Sequence, residues 1–73
     1  MGKWVIGNNI RKLRFNCDEM TQQQLAEKVG VTRQTIVAIE KGNYSPSLEL
    51  AFRIALAFSV PLEEVFFIED NNS

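Results

Sequence analysis

Apolar residues recur along this chain in short bursts, and their spacing changes from one segment to the next. Leu25, Ala26 and Val29 share one face at helical periodicity, and Thr21 stands ahead of them as a cap. Gln24 lies three residues after Thr21. Its amide can reach back to the Thr21 N–H while the Thr21 hydroxyl accepts from Gln24, which is the reciprocal capping-box pattern. Gly30 supplies the permissive backbone that ends a helix, so the pattern predicts a helix over about 22–29. Thr32 is a second cap, with Val31 ahead of it as an apolar staple, Ile36 and Ile39 as an inward pair, and Gly42 as a stop. A further helix over about 33–41 follows, joined to its predecessor by a tight turn at Gly30 and Val31.

The flanks are patterned too. Asn8 or Asn9 can cap a helix running to about Asn16, with Ile10, Leu13 and Cys17 on its inner side. From Leu48 to Phe58 nine of eleven positions are apolar and only Glu49 and Arg53 are charged, so apolar groups surround most of that helix. The surplus, Leu56 and Ala57 together with Phe52, Val60 and Phe66 or Phe67, reads either as a dimer surface or as an apolar core helix lying under the terminal segments. Pro61 fits the first turn of a short fifth helix. Glu63 and Glu64 follow where negative charge suits the helix dipole. Lys3–Ile6 and Val65–Ile68 are β-prone, and form either a two-stranded antiparallel ribbon joining the termini or two frayed ends.

The outward face of the 33–41 helix carries Arg33, Gln34, Val37, Ala38 and Lys41. A plain scaffold helix more often shows Glu and Lys there. Arg can bind guanine N7 and O6 bidentately, Gln can do the same for adenine N6 and N7, and Val or Ala methyls can touch a thymine methyl. Arg33 and Gln34 are therefore the first candidates for reading bases, with Thr35, Val37 and Ala38 further along the groove. Thr32, Lys41, Asn43 and Tyr44 are placed for backbone contacts that carry no sequence information.

Seventy-three residues make a single domain, 1–73, with a core near the lower size limit for folding alone. A partner subunit would be a natural supplement. Cys17 is the only cysteine and there is no histidine, which excludes an internal disulfide and leaves no set of metal ligands. The same scarcity, and the lack of a phosphate-cradling Gly-rich loop, argue against an enzyme or a cofactor. A Glu63–Glu64 carboxylate pair has no nucleophile near it in sequence. No apolar run reaches a membrane span, and the first residues match neither a signal peptide nor a myristoylation signal, so the expected setting is a reducing cytoplasm.

A net charge of −1 argues superficially against a polyanionic partner, but the average hides an asymmetry. Residues 1–41 carry seven basic groups against four acidic ones, a balance of +3, while residues 42–73 stand at −4. A basic side bearing the two-helix segment and an acidic side turned away suits docking on DNA.

The residues Thr21-Gln22, Leu25-Ala26, Gly30-Val31-Thr32, Ile36, Ile39-Glu40 and Gly42 resemble the lambda-repressor-like, Cro-type (XRE) helix-turn-helix family. Outside that stretch, Ile10–Arg14 is similar to its helix 1, Pro46-Ser47-Leu48 to its helix 4 start, Ile54-Ala55 to its centre, and Pro61–Phe66 to its helix 5. The likeness covers roughly residues 10–66. It implies a mainly α, five-helix DNA-binding domain, and short stand-alone members suggest the antiparallel ribbon. It also implies that Gln22 anchors a phosphate, with the free amides of the first turn beside it. An Arg14–Glu40 salt bridge would tie the reading helix to the scaffold. Leu56 and Ala57 fall where the family often has polar residues. The chain departs from the pattern after Arg14, where Phe15–Met20 is one residue longer and lacks the Gly cap, so a looser turn is expected with Asn16 or Asp18 left-handed.

The expected function is a sequence-specific regulator of transcription, a repressor binding the major groove of double-stranded DNA as a homodimer in the nucleoid. Two alternatives stand beside it. One is an antitoxin-type autoregulator that also binds a toxin, and the other is an interaction or dimerisation module that has lost DNA binding, for which the net charge speaks.

Overall fold

A computed structural model describes residues 4–70, with the side chains of Trp4 and Asp70 left aside. The order is β1 (Trp4–Asn8), α1 (Ile10–Asn16), α2 (Gln22–Val29), α3 (Arg33–Lys41), α4 (Leu48–Phe58), α5 (Leu62–Val65) and β2 (Phe66–Asp70). The mainly α fold with a small antiparallel sheet is thus the one the sequence led us to expect. Lys3, assigned above to the first strand, lies outside the described residues.

Each helix of the central segment takes its boundaries from local chemistry. Thr21 Oγ1 accepts from Gln24 N at 3.0 Å while Thr21 N donates to Gln24 Oε1 at 2.8 Å, a complete capping box. Thr32 and Ser47 cap α3 and α4 through their hydroxyls. Gly30 and Gly42 end α2 and α3 at φ +81°, where the amides of Val31 and Asn43 return to the carbonyls of Ala26 and Ala38. Backbone closure of that kind needs a left-handed residue. Side chains from all five helices meet in one core, with Ile10, Leu25, Ile36, Ile39, Ile54 and Val65 fully buried. Every such burial stabilises by ~1.5–3 kcal/mol.

The ribbon pairs Trp4 with Asp70, Ile6 with Ile68, Gly7 with Phe67 and Asn8 with Phe66. A Cβ at Gly7 would overlap the Phe67 ring, so only glycine lets the aromatic close over the strand. Two asparagines fasten the ribbon to the helices. Asn8 Nδ2 donates to Ile39 O at 3.0 Å, and Asn9 Nδ2 donates to Glu64 O at 3.1 Å. Asn8 Oδ1 accepts from Ile10 N at 3.2 Å, whereas Asn9, at the N-cap position itself, makes no side-chain cap bond.

Several expectations need correction. Cys17 is exposed, because the chain leaves helical geometry there (φ −109°, ψ 61°) and the inward periodicity of α1 ends at Asn16. Of the two residues expected to be left-handed in place of the missing glycine, Asp18 is so, joined by Glu19, while Asn16 stays helical. The link is also not loose: Met20 N donates to Arg14 O at 2.9 Å and Arg14 Nη1 to Met20 O at 2.8 Å. Pro61 sits just before α5 rather than within its first turn, and Val65 closes α5 instead of opening β2. Val60 and Phe66, expected on a dimer face, pack against the core, because the left-handed turn at Ser59 folds the chain back on itself. Phe67 is half-buried over Gly7.

Among the described residues no helix is long and apolar enough to cross a membrane. No group of His, Cys, Asp or Glu among them is placed to hold a metal ion.

Candidate nucleic-acid interface

The geometry of α3 is set from its last turn. Glu40 accepts from Arg14 in a fork, Nε to Oε2 at 2.7 Å and Nη2 to Oε1 at 3.1 Å, with the two side chains only 14% and 10% exposed. A third donor, Gln22 Nε2, reaches Oε1 at 3.2 Å. One carboxylate therefore joins α1, the first residue of α2 and the end of α3. Two parallel charge-assisted bonds fix orientation as well as distance, so α3 is held in angle and not only in position. Among the described residues no buried side-chain N or O lacks a partner.

An open groove runs between α1, the start of α2 and the outer side of α3. Arg33, Val37 and Lys41 line it from α3 at i, i+4 and i+8, and Gln22 lines it from α2. Gln34 is exposed and Ala38 half-buried on the adjacent stripe of the same helix. Thr32 and Thr35 share a hydrogen bond between hydroxyls at 3.0 Å, which ties the half-buried Thr35 to the cap of its own helix. Asn43 and Tyr44 are exposed in the loop after α3, beyond the groove lining.

Arg11, Asn8 and Gln23, with no site role assigned to them from the sequence, line the same groove. Arg11 could have been found by periodicity, since it lies three residues before Arg14 and so shares its face of α1. The two ion pairs among the described residues are Arg14–Glu40 and Glu49–Arg53, so Arg11, Arg33 and Lys41 face the groove without a carboxylate partner. Glu19 also lines it. The groove thus offers three cations with no carboxylate partner among the described residues, the side-chain amides of Asn8, Gln22 and Gln23, and one branched methyl pair, groups suited to phosphate and to base edges.

The other exposed stripe is apolar. Leu48, Phe52 and Leu56, also at i, i+4 and i+8, are 68%, 49% and 77% exposed along α4.

Comparison with known proteins agrees with this geometry. The helix-turn-helix family model matches residues 19–65. The uncharacterised HTH-type transcriptional regulator YgzD of Bacillus subtilis is 51% identical over 65 residues, spanning 89% of this chain and 97% of that one. Another from Methanocaldococcus jannaschii is 60% identical over 52 residues, 71% of this chain and 79% of its own length. The transcriptional repressor RstR of the cryptic phage CTXphi, from Vibrio cholerae, is 34% identical over 68 residues, 93% of this chain and 60% of the repressor. With its capped helix pair, its glycine-closed turns and a match over most of its length, the chain belongs to the helix-turn-helix family of transcriptional regulators, a family of regulators rather than enzymes.

Proposed function

We propose that this chain is a sequence-specific double-stranded DNA-binding repressor that acts as a homodimer in the cytoplasm on a two-fold symmetric operator. The observation that carries the reading is the groove. Arg33, Val37 and Lys41 of α3 share it with Gln22 and Arg11, and its three cations have no carboxylate partner among the described residues. Arg33 and Gln34 read bases, with Thr35, Val37 and Ala38 lining the contact. Gln22, Thr32, Lys41, Asn43, Tyr44 and Arg11 hold the backbone. Repression is supported by the likeness to a phage repressor.

The homodimer rests on the α4 stripe of Leu48, Phe52 and Leu56, which the single chain leaves in water. A two-fold axis along it would pair each residue with its own counterpart. Reading helices on one side of the duplex then require half-sites about 10 bp apart. Selection from a random DNA pool is the decisive experiment. It should return a palindrome with that spacing, and a pool with no enriched motif would refute sequence-specific binding. The same stripe supports a second reading, an antitoxin whose α4 takes a toxin. A chain that stays monomeric at micromolar concentration yet binds an operator half-site would favour it.

A further inference from the structure

Resting on the DNA-binding reading above, we infer that Glu40 is a positioning residue for the DNA-backbone contact, its carboxylate aiming the carboxamide of Gln22. Glu40 Oε1 receives Gln22 Nε2 at 3.2 Å and Arg14 Nη2 at 3.1 Å. An ionised carboxylate only accepts, so Gln22 must turn its nitrogen, and not its oxygen, toward Glu40. That occupies one N–H and fixes the amide plane. The second N–H and Oε1 remain for whatever enters the groove that Gln22 lines. A phosphate oxygen also only accepts, so the second N–H is the group that meets it. Without Glu40 the amide can flip about its terminal torsion and present Oε1, acceptor against acceptor. Glu40 cannot swing away to release it. Arg14 holds its other oxygen at 2.7 Å and is itself held on Met20 O at 2.8 Å.

Charge and positioning predict opposite signs, which makes the inference decidable. Removing a carboxylate from a DNA-facing surface strengthens binding to any duplex by charge alone. Removing a positioning group weakens it. The test uses the full chain, a random-sequence 30-bp duplex at low salt, and the variants Glu40→Gln, Gln22→Met and their combination, each checked for folding by circular dichroism. Glu40→Gln should weaken binding ~3- to 10-fold, the scale of losing one preorganised side chain. The double variant should be no weaker than Gln22→Met. In NMR relaxation without DNA, the Gln22 side-chain NH2 should be ordered in the wild type and mobile in Glu40→Gln. Should Glu40→Gln fail to fold, Glu40→Asp, which keeps the charge for Arg14 but shortens the reach to Gln22, takes its place with the same expectations. A folded Glu40 variant that binds as well as wild type, an equal loss in the Gln22→Met background, or a mobile Gln22 amide in the wild type would each overturn the inference. A wild type that fails to bind the duplex at low salt overturns the DNA-binding reading itself, which is a different result.

Discussion

Helices α3 and α4 are built alike and dressed differently. Each begins at a hydroxyl cap, Thr32 or Ser47, ends in a left-handed residue, Gly42 or Ser59, and turns a buried isoleucine, Ile36 or Ile54, into the common core. Each also shows solvent a stripe at i, i+4 and i+8. On α3 that stripe is Arg33, Val37 and Lys41, and on α4 it is Leu48, Phe52 and Leu56. The requirements of folding are met by the inward faces of both. What differs lies on surfaces that folding leaves free, and it is there that the proposed partners act: a polyanion with hydrogen-bonding edges on α3, and an apolar surface on α4.

The contrast breaks most visibly at α4. Leu56→Asp should leave the fold intact, since the side chain is 77% exposed, yet abolish the proposed dimer in sedimentation. Operator affinity should fall ~100- to 10,000-fold as the two half-sites lose their linkage. A monomeric variant with wild-type affinity would remove the role given to that stripe. At α3, Glu40→Ala should cost ~3–5 kcal/mol of stability, because it strands the guanidinium of a largely buried pair. An unchanged Tm would mean that α3 is not tied through Arg14.

Smaller effects sharpen the comparison. Arg33→Ala should cost ~1–3 kcal/mol of discrimination at one base pair, visible as a flattened position in the selected motif. Arg11→Ala should instead weaken all sequences alike and reduce the salt slope by about one. Equal behaviour of the two would erase the division between readers and anchors. Last comes the difference in how the helices end. Gly42 takes its left-handed φ freely, whereas Ser59 takes φ +57° against its own Cβ. Ser59→Gly should therefore stabilise by ~1 kcal/mol and raise Tm by several degrees, while Gly42→Ser should do the opposite.

Legibility followed the range of the forces involved. The bounds of α2 and α3 could be read because Thr21, Gln24, Gly30, Thr32 and Gly42 act within a few residues of themselves. The Cys17–Met20 link could be read only in part: Asp18 is one of its two expected left-handed residues, but the left-handed Glu19 comes with a closure in which the Arg14 guanidinium reaches across to Met20 O. The apolar excess of α4 was plain from composition. Its division was not, because the left-handed Ser59 turns Val60 inward, the pairing of β2 with β1 seats Phe66, and only Leu48, Phe52 and Leu56 of that surplus stay outside. The spacing of Arg11 from Arg14 shows that the two share a face of α1, but not that this face opens on α2 and α3, a relation that the tertiary packing sets.

The ribbon has a mechanical consequence. Because β1 and β2 are antiparallel, with Trp4 opposite Asp70, tension applied across the two ends of the chain loads one rung at a time, as in opening a zip. The last rung is Asn8–Phe66, and Asn8 also grips the carbonyl of Ile39 in α3. A pulling experiment should therefore show the strands parting at low force, with the helical body yielding only once that asparagine lets go.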